Sequence, residues 1–260
     1  MSDIDQLLDR SGVHDEWRPL LAEALATISP AYLAALLHDR NWLPGPDRLL
    51  AAFRRDRRGL RYLLLGESPY PRRESANGIA FYDAAVGDLW SEQGLSKTVN
   101  RATSLRNIVK AALLAEDRLH RDADGKITQA AISRVDRHGL VQTLGEIFDN
   151  LESAGFLLFN ATPVLHPERK PVVEARYWRD FLECLLASIH RHAQQPRLLL
   201  WGKIAKLVED MPSSRNFDRL VCEHPYNLSF IDNPDIHRLF AELRVLQKTG
   251  RAGLPDRRTG

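Results

Sequence analysis

The chain has 260 residues, 44% of them apolar and 27% charged, and a formal net charge of +2. That composition provides for a sizeable buried core and excludes general disorder, while the mildly basic balance permits a nucleic-acid partner through a local patch without demanding one. No apolar run approaches the roughly 20 residues that span a bilayer, and the two cysteines, Cys184 and Cys222, are too few for an iron–sulfur cluster, which takes four ligands.

Residues 1–60 read as a helical lead-in, because Leu20, Leu21, Ala24, Leu25 and Ile28 recur at helical spacing and Pro30 and Pro44-Gly45-Pro46 punctuate the run. Short apolar strands are then predicted at 62–65, 156–159, 198–201 and 220–222. Amphipathic helices are predicted between and after them, at 105–115, 140–151, 177–190, 204–208 and 234–247. Strands alternating with helices imply a three-layer α/β/α fold around a short, mostly parallel sheet. The charged stretch 116–138 lacks periodicity, and Asp122-Ala123-Asp124-Gly125 within it is read as a turn rather than a calcium loop, whose other ligands are missing. One domain is expected over 1–248, followed by a mobile basic tail at 249–260. The acidic N-terminus, Met1-Ser2-Asp3-Ile4-Asp5, has no apolar signal core, and both cysteines sit in apolar surroundings as expected of buried thiols. A reducing, cytoplasmic location follows as an expectation.

In parallel α/β folds ligands bind beyond the carboxyl ends of the strands. Four such ends here carry chemically useful residues: Gly66-Glu67-Ser68-Pro69-Tyr70-Pro71 after the first strand, Asn160 after the second, Gly202 after the third and His224 after the fourth. A carboxylate, a hydroxyl, an amide and an imidazole at one sheet edge describe a site. His190 and His192, two apart on a predicted helix, face different sides and cannot chelate one ion, so no metal site is expected. A Gly-rich phosphate loop of either common type is also missing.

Seven segments, in order, resemble the first family of uracil-DNA glycosylases. Trp42-Leu43-Pro44-Gly45-Pro46 followed by Leu50-Ala51-Ala52-Phe53 is similar to that family's approach to its first strand. Residues 66–71 resemble its Gly-Gln-Asp-Pro-Tyr-His loop, Gly78-Ile79-Ala80-Phe81 its Gly-Leu-(Ala/Cys)-Phe, and Ser104-Leu105-Arg106-Asn107-Ile108 its Ser-Leu-Lys-Asn-Ile helix. Leu157-Leu158-Phe159-Asn160 resembles its Leu-Leu-Leu-Asn, Leu200-Trp201-Gly202 its Leu-Trp-Gly, and His224-Pro225-Tyr226-Asn227-Leu228-Ser229 its His-Pro-Ser-Pro-Leu-Ser. The resemblance implies a DNA glycosylase that extrudes a nucleotide and reads the base in a fitted pocket. Phe81 would stack on the base, Asn160 would read a pyrimidine edge with its donor and acceptor, and Tyr70 would block the C5 position. His224 would stabilise the charge growing on the departing base, and Leu228 would fill the vacated stack. Lys203, Ser229, Arg72 and Arg73 would contact phosphates.

The pattern departs from the family at its centre. Where the family has the Asp that orients the attacking water, this chain has Ser68. Glu67 stands beside it in place of Gln, and we expect Glu67 to have taken over some or all of the carboxylate's role, with Ser68 holding the water. Pro71 replaces a histidine, and Arg101-Ala102-Thr103 occupies the place of a Pro-rich stretch. Two substrates stay open: uracil, or a bulkier modified cytosine of phage DNA, giving a role in DNA repair or in anti-phage defence. The alternative class is an inactive DNA-binding relative that recognises a modified base or abasic site. No cofactor is implied, because N-glycosidic hydrolysis uses water alone, and no lysine is placed for a Schiff base, so a monofunctional enzyme leaving an abasic site is expected. The expected partner is single- or double-stranded DNA and not a membrane, and a monomer is expected.

Overall fold

The computed structural model of the protein describes residues 2–39, 41–192 and 195–248; the expected tail at 249–260 lies outside the described residues. Four parallel strands, β1 (Tyr62–Gly66), β4 (Phe156–Asn160), β5 (Arg197–Trp201) and β6 (Arg219–Cys222), form a sheet of order β4-β1-β5-β6. The register brings Gly66 opposite Asn160, Leu65 opposite Leu200 and Trp201 opposite Cys222, so the carboxyl ends of all four strands finish on one line.

Alternation along each strand separates two apolar clusters. Leu63, Leu65, Leu157, Phe159, Leu198 and Leu200 face one side. There they meet α1 (Asp3–Ser11), α2 (Arg18–Leu25), α3 (Pro30–His38), the long α8 (Pro171–His192) and α9 (Ile204–Glu209). Tyr62, Leu64, Phe156, Leu158, Leu199 and Leu220 face the other, against α5 (Thr103–Ala115), α7 (Leu144–Ser153) and α10 (Pro234–Leu243). This is the three-layer arrangement the alternation of elements predicts, with both faces of the sheet covered. No single helix among the described residues is long and apolar enough to cross a membrane.

Boundaries differ from the sequence expectation where capping, rather than periodicity, decides. The helix expected from 140 begins at Leu144, because Thr143 accepts from the Glu146 N–H at 3.3 Å while the Glu146 carboxylate accepts from the Thr143 N–H at 2.9 Å. The last helix stops at Leu243, since Arg244 turns left-handed at φ 50° and Leu246 accepts from the Val141 N–H instead. A two-stranded hairpin of β2 (Trp90–Ser91) and β3 (Gly94–Leu95), and the short helices α4 (Lys97–Arg101) and α6 (Gln129–Ser133), are too brief to show a period and went unpredicted. Residues 122–126 do form a turn: Asp122 Oδ1 accepts from the N–H groups of Asp124 and Lys126 at 3.0 and 2.7 Å. Both cysteines are free, and half-buried rather than buried.

Candidate active site

Beyond Gly66 the chain keeps to the sheet for two more carbonyls before leaving it. Gly66 and Glu67 accept from the Ala161 and Thr162 N–H groups at 2.9 and 3.0 Å, which ties the loop to the extension of β4. Only glycine fits at the crossing, since a Cβ on residue 66 would lie 2.4 Å from Asn160 Oδ1. From there Glu67 projects into solvent, Ser68 is partly covered and Pro69 is buried. Tyr70 closes the loop by donating its hydroxyl to the Phe81 carbonyl at 3.4 Å. Burial first, then the charge of Asp83, pushes that hydroxyl up to about 12, so it stays a protonated donor.

Phe81 arrives from the opposite wall on a strained turn. Gly78 at φ 86° passes so close to the Arg48 carbonyl that a Cβ would overlap it, and Ala80 N–H docks on the Leu158 carbonyl at 3.2 Å. Phe81 itself is left-handed at φ 63°, a conformation that costs a non-glycine residue of the order of 1–3 kcal/mol and is held by the contacts around it. Its ring centre lies 5.3 Å from that of Trp201 and 6.0 Å from that of His224. Together Glu67, Ser68, Tyr70, Phe81, Asn160 and His224 line a cleft of about 220 Å³, to which Trp201 and Ser104 also contribute.

Asn160 is 4% exposed, yet its amide has no hydrogen-bond partner among the described residues. The amide opens on the cleft, so its donor and its acceptor are both free for a ligand there. His224 is half-buried, and its Nδ1 accepts from the Tyr226 N–H at 3.0 Å. A backbone N–H can only donate, so the neutral ring carries its proton on Nε2. Burial lowers the His224 pKa from its ordinary 6.5, with the charge of Glu67 opposing the shift. Gly202, at φ 89°, is what allows the ring in: a Cβ there would sit 2.6 Å from His224 Cβ.

The segment following His224 is held from α5. Asn107, fully buried, donates its Nδ2 to the Pro225 carbonyl at 2.7 Å, with the Tyr226 and Asn227 carbonyls at 3.4 and 3.5 Å. Leu228 beyond it is 69% exposed, and Ser229, Lys203 and Arg73 are exposed as well. Arg72 is placed differently from a free phosphate contact, for it pairs with buried Asp83 at 3.2 Å and so braces the loop against the Phe81 turn. Sequence reasoning passed over Asn107, Ser104 and Trp201 as site residues, although all three lie in segments it had singled out.

No family model matches the chain. The UNG of Nitratifractor salsuginis superposes with a TM-score of 0.88 at 38% identity, over 94% of this chain and 96% of that one. The uracil-DNA glycosylase of Corynebacterium glutamicum is 25% identical over 209 residues, covering 78% of this chain and 76% of its own length. The crystal structure of mimivirus uracil-DNA glycosylase, at 15% identity and a TM-score of 0.54 over 86% of this chain, shares the fold. Agreement at 38% identity over nearly the whole of both chains settles the family: this chain belongs to the uracil-DNA glycosylase superfamily and is a DNA glycosylase.

Proposed function

We propose that the enzyme extrudes a pyrimidine nucleotide from DNA and hydrolyses its N-glycosidic bond, leaving an abasic site. The observation that carries this reading is the unpartnered amide of Asn160 at the floor of a cleft walled by Phe81. It offers the donor and acceptor that a pyrimidine edge requires. The extruded base stacks on Phe81, a contact worth roughly 1–3 kcal/mol. As the C1′–N1 bond breaks, its electrons pass to the base, and the Nε2–H of His224 donates to the oxygen where that charge collects. Ser68 holds the water whose oxygen bonds to C1′, and Glu67 takes the water's proton and offsets the cationic sugar. Leu228 fills the space the base has left.

Uracil is the substrate that the Tyr70 wall favours, because a half-buried ring tied to the Phe81 carbonyl narrows the cleft against a large substituent. The names of the relatives agree with this reading. A modified cytosine is favoured by a different observation: Pro71 is shared between the base cleft and a second groove of about 420 Å³. A substituent passing over Pro71 would have somewhere to go. Repair follows from the first substrate and anti-phage defence from the second.

Two measurements test the proposal. Incubation with uracil-containing DNA and with phage DNAs bearing different modified cytosines, followed by mass spectrometry of the free bases, identifies the substrate. DNA that is bound without release of any base would make the chain a recognition protein instead. On the substrate so found, Glu67→Gln is expected to slow single-turnover base release about 10²–10⁴-fold with DNA affinity retained. A variant as fast as the wild type would remove Glu67 from the mechanism.

A further inference from the structure

Beside the base cleft, and distinct from the groove at Pro71, lies a groove of about 580 Å³, lined by Gly202, Lys203, Lys206, His224, Tyr226 and Asn227. Two acids, Glu67 and Glu223, also border it, and Glu223 is engaged by the Asn233 amide at 3.0 Å. Neither lysine is in an ion pair among the described residues, and both are exposed. The groove and the base cleft have Glu67 and His224 in common, so the two adjoin at those side chains.

Tyr226 is the unusual member of this wall. The residue is 67% exposed, which places it with Leu228 among the most exposed large apolar residues of those described. Its backbone, in contrast, is pinned on both sides: the N–H is given to His224 Nδ1 at 3.0 Å and the carbonyl faces the buried Asn107 amide at 3.4 Å. An aromatic ring on a fixed backbone, with only two side-chain torsions to order, is a low-entropy contact surface. Aromatic platforms beside cations are the chemistry that binds successive nucleotides of a strand, the ring taking the base and the cations the backbone.

We propose that this groove is a second nucleotide site, in which a base next to the extruded nucleotide stacks on Tyr226 while its phosphate meets Lys203 and Lys206. The inference rests on DNA as the substrate and is independent of which base is excised. Leu228 and Tyr226 then divide the work of one rigid loop. The leucine fills the gap in the stack, and the tyrosine holds the strand that has been pulled out of it.

The test uses a duplex carrying a tetrahydrofuran abasic analogue, which mimics the product whatever the original base. Tyr226→Ala is expected to weaken binding about 5- to 150-fold, Tyr226→Phe to bind as the wild type does, and the same ranking to hold on a single strand. Lys206→Ala is expected to weaken binding and flatten the salt dependence, lowering the slope of log affinity against log salt by about 0.9 on the duplex, whereas Tyr226→Ala leaves that slope unchanged. Tyr226→Ala binding within twofold of wild type would overturn the proposal, and so would Tyr226→Phe binding as weakly as Tyr226→Ala, which would make the hydroxyl and not the ring the contact. A wild-type protein that bound no such DNA would remove the DNA reading itself, and with it this site.

Discussion

His224 illustrates how one side chain is tuned by its immediate surroundings. Its ring is packed between Gly202 and Phe81, its Nδ1 is occupied by a backbone donor, and burial disfavours the charged form more than Glu67 favours it. A neutral donor is therefore available at and below neutral pH, where an ordinary histidine would be charging. The sign of the linkage follows: the native state binds the His224 proton less tightly than the unfolded chain does. Its contribution to stability is complete above 6.5 and is lost as the pH falls through the lowered native value. An NMR titration is expected to give a midpoint for His224 below 6.5, and Glu67→Gln to lower it further by removing the opposing charge. A midpoint at or above 6.5 would contradict the burial argument.

At the scale of elements, the site is assembled by loops that borrow rigidity from neighbours. The loop after β1 continues the hydrogen bonding of β4 through two carbonyls and is braced by the Arg72–Asp83 pair. The loop after β6 depends on α5, through the single amide of Asn107. Asn107→Leu, of similar size and without a donor, is expected to leave the buried Pro225 carbonyl unmatched, at a stability cost of about 1–3 kcal/mol. Because His224 and Leu228 flank the freed segment, base release is expected to slow by about 10²-fold through loss of positioning. Urea unfolding and single-turnover excision separate the two effects. Wild-type excision by a destabilised Asn107→Leu would show that the clamp supports the fold alone.

Across the whole molecule, a sheet whose strands all point one way gathers residues distant in sequence at one edge. The helical lead-in takes part in this, because Leu7, Leu21, Trp42 and Phe53 are fully buried in the same cluster as Leu63 and Leu65 of β1. We expect it to be part of the one folding unit that carries the site. Leu21→Ala, at a position with no exposure, is then expected to cost about 2–5 kcal/mol and to lower the midpoint of a single urea transition. A separate early transition that left excision intact would instead make the lead-in an independent unit.

Much of this was open to a reader of the chain alone. Four apolar runs, each ended by Gly66, Asn160, Gly202 or the residues before His224, mark strands and their outlets, because burial on both faces writes a continuous apolar signal into the local sequence. Ordered motifs around those ends named the reaction class. Contacts across the fold left no such signal. That Arg72 braces Asp83, that Asn107 reaches a loop 118 residues away, and that Tyr226 stands exposed beside His224 depend on which loops packing brings together. Periodicity and motif spacing are properties of neighbouring residues, whereas the tautomer of His224, the bracing of its loop and the groove beside it exist only once the sheet edge has been assembled.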